Sequence, residues 1–436
     1  MIGHALALSD GYYDPNSLWW IAAAMALAWT GFLSSGRWRL DSRLVAAVCA
    51  AAVIWDFIQL YTGPAPVLVR LPLAYYALVL PLMALAACGA IALAGPLRNA
   101  CAGALVVLFL ANSLWLLRRS PLPHIDVFEV TQDACVAMTH GQSPYAIDFP
   151  DIYTARPDWE VKFYPPGSVY GGRVHFGYQY MPLSMLAAFV GHAVGGDFRL
   201  ASAAAVAGAA ALLLAISRAA GAVAACLLIM MPREHFILEH GWTEPIVVVC
   251  LAAVVFCAVR WKAALPYAAG LLIASKQHMF LCAPAMLLLI PRPWAWHKSV
   301  TFFAKAAATA LAVTLPLVLW DVRAFWHSAV VELSRNPFRD DSLNFAAAWV
   351  RSGHAPPPEI LPFALGAAAA CVAAWSGRLQ APSSASRRAA QFAGAVAVIY
   401  LSFFALSKQT FCNYYFLVVG ALCCAIAAEG SQTGQA

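Results

Sequence analysis

The sequence predicts an all-α fold, a polytopic bundle of transmembrane helices with about 12 or 13 membrane segments, some of them short or re-entrant. The 436 residues are 62% hydrophobic and only 11% charged. A soluble domain needs more charge than this to cover its surface. Apolar stretches close to the ~20 residues that cross a bilayer also recur from end to end. The lipid bilayer is therefore the first expected partner.

Residues 1–117 are expected to contain about four transmembrane helices. The predicted spans lie near 16–35, 44–62, 70–94 and 99–117. No Lys or Arg precedes the first apolar run, so the basic region of a cleaved signal peptide is missing. The first and third connections carry basic residues and are predicted to be cytoplasmic because of Arg37, Arg39, Arg43 and Arg98. Parity then places the N-terminus and the next loop outside.

Residues 118–177 form a polar loop of roughly 60 residues, which is too long for a simple connector. We expect function there. Read as a helix, 125–140 places Asp126, Glu129 and Asp133 on one side. The opposite side is an apolar stripe of Val127, Val130, Ala134, Ala137 and Met138. The sequence therefore predicts a structured external loop that carries an amphipathic interfacial helix.

The rest of the chain divides into a transmembrane core at 178–320, an external loop at 321–360, and C-terminal helices with a short cytoplasmic tail at 361–436. The apolar segments are predicted near 178–195, 199–217, 219–232, 244–260, 264–291, 301–320, 361–376, 389–407 and 411–428. The segment 264–291 fits either one long helix or two half-helices that meet at 275–278. The connections predicted to be cytoplasmic contain Arg292, His297, Lys298, Arg378, Arg387 and Arg388.

Charge and cysteine usage exclude two classes of function. The net charge is +6, but the Lys and Arg residues are scattered over short loops, so nucleic acid is not an expected partner. The 12 cysteines lie mostly in apolar segments without CxxC spacing. They indicate small hydrophobic residues and not a disulfide or metal framework.

The order of motifs along the chain is more specific than any single motif. HIDVFEV follows a helix end, and HGQSPY, Tyr153, FGYQYMPLSML, LEHGWTEP and AAGLLIASKQHMFLCAP come next. This order resembles the GT-C superfamily of integral-membrane glycosyltransferases, especially the polyprenol-phosphate-mannose-dependent mannosyltransferase family. That family has an Asp in its first external loop before a G-x-x-P-Y segment. The resemblance spans roughly 110–320, with extra helices before the loop and HGWTE in place of G-Q-x-N.

The resemblance implies an inverting glycosyltransferase at the external face of the membrane. It would move a sugar, with mannose favoured, from a polyprenyl-phosphate donor to a hydroxyl of an envelope glycolipid or polysaccharide. Inversion needs one base opposite the leaving group, for which Asp126 is predicted and Asp133 is the substitute. The departing phosphate needs cations or hydrogen-bond donors. Those predicted are Lys276, His278 and Lys408.

Sugar or acceptor contacts are predicted for Gln277, His240, Glu244, Tyr145 and Tyr180. The external loop VVELSRNPFRDDSLNF, which contains Arg335, Arg339, Asp340 and Asp341, is expected to cover the site as a lid or to shape the acceptor pocket. Simpler explanations stay open, namely a snorkelling Lys276, a topology anchor at Lys408 and an interfacial belt of tyrosines. No cofactor is assigned, and a divalent ion between Asp126 and Asp133 is left open.

Two other functions compete with an enzyme. A secondary transporter or flippase of a sugar or lipid-linked substrate predicts internal repeats and charges at mid-membrane depth, whereas the acidic residues here gather in one external loop. A noncatalytic scaffold subunit is the third alternative. The Ala-rich composition fits a bacterial inner membrane with the site on the periplasmic side. The sequence does not identify a protein partner.

Overall fold

The computed structural model describes residues 1–34, 42–62, 75–153, 163–291, 296–380 and 384–430. Within these ranges the fold is all-α, as predicted. The α-helices in chain order are α1 Ile2–Ser9, α2 Pro15–Leu33, α3 Ser42–Thr62, α4 Leu80–Ala92, α5 Gly95–Arg119, α6 Asp126–Thr139, α7 Pro182–Gly195, α8 Arg199–Ile216, α9 Arg218–Ile229, α10 Glu234–Glu239, α11 Glu244–Arg260, α12 Leu265–Ser275, α13 Trp296–Trp320, α14 Val322–Trp326, α15 Leu333–Arg335, α16 Phe345–Arg351, α17 Ile360–Gln380, α18 Ala385–Phe404 and α19 Cys412–Glu429.

Among the described residues, five helices are long and apolar enough to cross a membrane, namely α5, α8, α13, the Ile360–Gly377 part of α17, and α19. Shorter apolar helices include α7, α9 and α12. This agrees with a multi-pass membrane protein in which some segments are short. The sidedness stays a prediction, as does the division of the chain into five regions. Arg37, Arg39 and Arg292, as well as the side chains of Arg43 and Arg378, lie outside the described residues.

The core lies where α8, α9, α11, α18 and α19 pack together. Helices in membranes approach closely through small residues because no large side chain separates their backbones. Gly420 on α19 shows this, since a Cβ atom there would lie 2.7 Å from Cγ1 of Val248 on α11. The close packing fixes α11 against the middle of α19, and the starts of both helices carry residues of the candidate site, namely Glu244 and Tyr414.

The segment predicted as either one helix or two is interrupted. Helix α12 ends at Ser275, and Lys276 is extended with φ −157° and ψ 149°. The chain then continues as two 3₁₀-helices, Gln277–Cys282 and Pro284–Leu289. Pro284 has no amide hydrogen, so it cannot continue an α-helical ladder. Non-helical backbone at membrane depth is tolerated where it is buried in protein or lines a cavity, and here it positions Lys276.

The first external loop contains the predicted helix as α6, which begins at Asp126. Its buried face includes Phe128, Val130, Ala134, Cys135 and Ala137, while Val127 and Met138 are half-buried. The helix packs against α7 and against a small antiparallel sheet with the order β1-β3-β2. The strands are β1 Phe149–Pro150, β2 Val169–Tyr170 and β3 Arg173–Val174. The amphipathic pattern is therefore confirmed, and the interfacial position of α6 stays a prediction.

The second external loop is tied to the rest of the molecule by backbone hydrogen bonds. A π-helical turn, His327–Glu332, joins α14 to α15. Further along, the Arg339 amide donates to the Lys408 carbonyl over 2.9 Å, and the Leu343 amide donates to the Thr410 carbonyl over 3.0 Å. The Asn344 side chain caps α16 by accepting the Ala347 amide over 2.8 Å. Residues 339–344 are thus hydrogen-bonded to the connection between α18 and α19.

Candidate functional site

Asp126 is the first residue of α6 and its carboxylate is held by local hydrogen bonds. Its Oδ1 atom accepts the Val127 amide over 2.8 Å. The Tyr153 hydroxyl lies 3.5 Å from the same oxygen and 3.4 Å from the Asp126 amide nitrogen. A helix N-terminus favours negative charge because of its unpaired amides and dipole. These contacts orient the carboxylate at the start of the helix.

The environment of Asp126 adjusts its basicity in two directions. Burial raises the pKa of Asp126, while the Val127 amide and the positive charge of Arg339 partly oppose that rise. Burial, followed by the Asp126 charge, also raises the pKa of Tyr153. The phenol therefore stays protonated and can donate to the carboxylate. A carboxylate with a raised pKa is suited to accept a proton near neutral pH.

Arg339 lies in the second external loop and its guanidinium is fixed on two faces. Its Nε and Nη2 atoms donate to Asp341 Oδ1 and Oδ2 over 2.8 and 2.9 Å. The rings of Phe163 and Phe411 lie 4.1 and 4.7 Å from its central carbon. No hydrogen bond from the described residues engages its Nη1 group. Arg339 is therefore an oriented cation that acts on Asp126 and retains donors for a ligand.

Lys276 lies at the helix break and forms a buried ion pair. Its ammonium contacts Glu244 Oε1 at the first turn of α11, and the two residues are only 5% and 1% exposed. The rings of Tyr180 and Tyr414 lie 5.6 and 4.9 Å from Nζ, close enough for cation–π contacts. A buried, paired ammonium does not fit the alternative in which Lys276 snorkels to the interface.

Tyrosine side chains lie between the Asp126 carboxylate and the Lys276–Glu244 ion pair. The Tyr180 ring lies 5.6 Å from the Lys276 ammonium, and its hydroxyl lies near enough to Asp126 and Glu244 to interact with both charges. Tyr414 in turn lies within electrostatic range of Glu244 and Arg339. The described part of the chain thus brings a carboxylate, two cations and several tyrosines near one another. Such an arrangement can bind an anionic group and accept a proton beside it.

The two residues that follow Lys276 have different surroundings. Gln277 Nε2 donates to the Gln179 carbonyl over 2.6 Å and so ties the break to the loop before α7. The His278 ring lies against Tyr400, Phe403, Phe404 and Tyr414, with centroids 5.4 to 6.3 Å apart. Its Nε2 atom is buried and has no hydrogen-bond partner among the described residues. That nitrogen is available to a ligand hydroxyl or phosphate.

Two predicted site residues have structural partners. The Tyr145 hydroxyl donates to the Tyr180 carbonyl over 3.0 Å, so this side chain positions Tyr180. His240 packs between Phe236 and Trp242, with ring centroids 4.0 and 4.8 Å away. Its Nδ1 atom lies 2.9 Å from the Phe236 carbonyl oxygen. The sugar-binding roles of both residues stay predictions.

The surroundings of Lys408 and Asp133 differ from those of Asp126 and Lys276. The Lys408 ammonium lies 2.6 Å from Glu359 Oε1 and donates to the Ser334 and Asn336 carbonyls over 2.5 and 3.2 Å. Burial raises the pKa of Asp133, and the Arg173 charge partly opposes the rise. Within the described ranges, no group of three or more His, Cys, Asp or Glu side chains could hold a metal ion. The roles of Lys408 and Asp133 in catalysis or phosphate binding stay predictions.

Sequence reasoning missed a positioning residue, Arg199, which is 0% exposed. Its guanidinium donates to the Ser120 carbonyl over 2.7 Å and the Glu239 carbonyl over 2.9 Å. It also pairs with Asp197 and lies 4.7 Å from the Phe128 ring on α6. These contacts fix α6 relative to α5 and α10. The only signal in the sequence was an arginine at the start of an apolar helix, because the carbonyl groups that it binds belong to residues distant in sequence.

A cavity of about 360 Å³ lies on the other side of α6. Its lining includes Phe128 and Gln132, which project from α6 away from the face of Asp126. Leu114, Arg118 and Gly196 complete one wall. Asp126 does not line this largely apolar cavity.

Comparison with solved structures finds a likeness to the crystal structure of ArnT from Cupriavidus metallidurans bound to undecaprenyl phosphate. The TM-score is 0.47 and the sequence identity is 19%, over 74% of this chain. The match spans 59% of the length of that protein. No protein-family model and no curated protein matches the sequence.

Proposed function

We propose that this chain is a GT-C-type inverting glycosyltransferase that moves a sugar from a polyprenyl-phosphate donor to an acceptor hydroxyl. The observation that carries the proposal is that Asp126 interacts electrostatically with Arg339 and with Tyr180, whose ring also contacts the ammonium of the Lys276–Glu244 pair. A base and cations at one centre are what this transfer requires. The order of motifs in the sequence supports the same reaction class independently of the geometry.

Asp126 acts as the general base in the proposed reaction. Its carboxylate accepts the proton of the acceptor hydroxyl while the acceptor oxygen forms a bond to the anomeric carbon. The bond from that carbon to the phosphate oxygen breaks on the opposite face, and the polyprenyl phosphate departs with the electron pair. The configuration at the anomeric carbon inverts. The carboxylate becomes neutral as the phosphate gains one negative charge.

Arg339 and Lys276 stabilise the charge that develops on the departing phosphate. Arg339 is pre-oriented by Asp341, so it needs little rearrangement during the reaction. Lys276 shares its ammonium between Glu244 and the phosphate. The second oxygen of Glu244 has no hydrogen-bond partner among the described residues, and it accepts a sugar hydroxyl in this proposal. Gln277 and His278 supply additional polar contacts.

The finer assignments follow the sequence resemblance. We propose mannose as the sugar, an envelope glycolipid or polysaccharide as the acceptor, and the periplasmic face of a bacterial inner membrane as the location. The step written above needs no cofactor because the base and the cations are side chains. Lys408 lies between α18 and α19, where its ammonium contacts Glu359 of the second external loop, and it is proposed to attract the donor phosphate as it approaches.

The test compares wild-type protein with Asp126→Asn and Asp133→Asn in membranes supplied with a radiolabelled polyprenyl-phosphate mannose. Asparagine is close in size to aspartate and cannot accept the proton. We expect transfer to fall by 10²-fold or more, on the order of the contribution of a general base, in Asp126→Asn, and to persist in Asp133→Asn. Equal transfer by wild type and a folded Asp126→Asn protein contradicts the assignment of the base.

Transport of a sugar or lipid-linked substrate is the second candidate. It is favoured by the buried Lys276–Glu244 pair at a helix break, an arrangement that transporters also use. Proteoliposomes loaded with labelled substrate distinguish the two. Flux across the bilayer without any new glycosidic bond favours a transporter, whereas formation of a glycosylated product without flux favours the enzyme.

A further inference from the structure

Three segments that are distant in sequence form one clasp beside the candidate site. We define the clasp as residues 10–13, 339–343 and 408–411. The Tyr13 amide donates to the Asp341 carbonyl over 2.8 Å, and Tyr12 forms a β-bridge with Ser342. The middle segment is bonded on its other side to 408–410. Backbone pairing on two sides makes this part of the loop a fixed wall and not a hinged lid.

Gly11 allows the N-terminal segment to enter the clasp. Its φ is +82°, which favours glycine. A Cβ atom at this position would lie 2.2 Å from the backbone nitrogen of Cys412, so no side chain fits without moving α19. The preceding residue, Asp10, is anchored to Arg233 over 2.6 Å. The segment is therefore locked to the helix bundle immediately before it reaches the loop.

Aromatic packing extends from the N-terminal segment to Arg339. The Tyr12 ring lies 5.5 Å from the Phe411 ring, and Phe411 lies 4.7 Å from the Arg339 guanidinium. Phe163 covers the guanidinium at 4.1 Å. Displacing Tyr12 would release Phe411 and allow the guanidinium to rotate. Tyr13 packs differently, since its ring lies 4.9 Å from Arg351.

We propose that the clasp is the positioning element for Arg339, with Gly11 and Tyr12 as positioning residues that hold its guanidinium beside Asp126. The inference rests on the proposed function only where it names Asp126 as the base. The groups that act on Asp126 are Arg339, Tyr153 and the local amides, Tyr164 and Tyr180 also face it, and Asp341 pairs with Arg339. A cation near a carboxylate favours its ionised form. Loosening the clasp therefore makes Asp126 harder to ionise.

The test uses the full chain in lipid nanodiscs and compares Tyr12→Ala with the matched control Tyr13→Ala. The Tyr12 side chain is 45% exposed, so its removal leaves only a small void. Gly11→Ala is a second clasp variant, and Arg339→Gln sets the maximum effect. The first measurement is the pH midpoint for carbodiimide labelling of Asp126, quantified by peptide mass spectrometry. This midpoint reports protonation of the carboxyl group and needs no transfer activity.

We expect the labelling midpoint to rise by about half a pH unit or more in Tyr12→Ala, in the direction that loss of a nearby cation requires. Tyr13→Ala should match wild type, and the acid limb of kcat/KM should move with the labelling midpoint. An unchanged midpoint in Tyr12→Ala beside a raised midpoint in Arg339→Gln overturns the clasp but leaves the proposed function intact. If the wild-type protein transfers no sugar and Tyr12→Ala still raises the labelling midpoint above the wild-type value, the clasp is supported and the proposed function is contradicted.

Discussion

The buried pair of Lys276 and Glu244 gives the sharpest stability prediction. Glu244→Gln leaves an ammonium that is only 5% exposed without its counter-charge. Removing one partner of a buried pair costs about 3–5 kcal/mol of unfolding free energy. Lys276→Met leaves the carboxylate unpaired and is expected to cost a similar amount. Replacing both residues removes both charges, so the double variant should lose much less than the sum of the two single variants.

The assay is unfolding of the purified protein in detergent, followed by intrinsic tryptophan fluorescence for the wild type, both single variants and the double variant. We expect a favourable coupling energy on the order of 3 kcal/mol between the two sites. Transfer activity should be lost in the double variant although its fold is retained, because the ammonium that binds the donor phosphate is gone. Additive losses, with the double variant less stable than either single variant, would refute a direct buried pair.

Three further predictions concern the site. Arg339→Gln should lower kcat for transfer by about 10²–10³-fold, as loss of a pre-oriented electrostatic group does. Arg339→Lys should retain only part of the wild-type kcat in steady-state kinetics, because lysine lacks the planar guanidinium that binds both oxygens of Asp341. Burial raises the pKa of Asp126, and only the ionised carboxylate accepts a proton. Transfer should therefore be lost as pH falls through this raised pKa, which gives the pH profile of kcat/KM an acid limb at higher pH than an exposed aspartate would. Tyr153→Phe removes a donor to Asp126 and should move the same acid limb upward, and an unmoved limb would contradict the hydrogen bond.

The helices could be predicted because hydropathy is a local property. The apolar segments predicted at 199–217, 244–260 and 411–428 correspond to α8, α11 and α19. The interruption at Lys276 could not be decided in advance, since periodicity does not distinguish one long helix from two short ones. It depends on tertiary contacts, including the ion pair with Glu244 on another helix.

Asp126 could be singled out as a candidate because a carboxylate directly after a helix end, at the start of an amphipathic pattern, is a local feature. The loop that contains Arg339 was expected at the site, but the interaction of this arginine with Asp126 could not be predicted, because its position depends on backbone pairing with segments near both ends of the chain. Lys276 and Glu244 were each singled out, but nothing in the sequence showed that they pair with each other. The sequence thus supplies the chemical groups, and long-range packing supplies their arrangement.

The central claim is that Asp126, Arg339 and Lys276 surround the phosphate of a lipid-linked sugar. A cryo-EM structure of the protein in nanodiscs with a polyprenyl phosphate tests this most directly. We predict phosphate density within hydrogen-bonding distance of Arg339 and Lys276, with the Asp126 carboxylate facing the position of the anomeric carbon. Phosphate density in the cavity on the opposite side of α6, with Asp126 remote from it, would contradict the account.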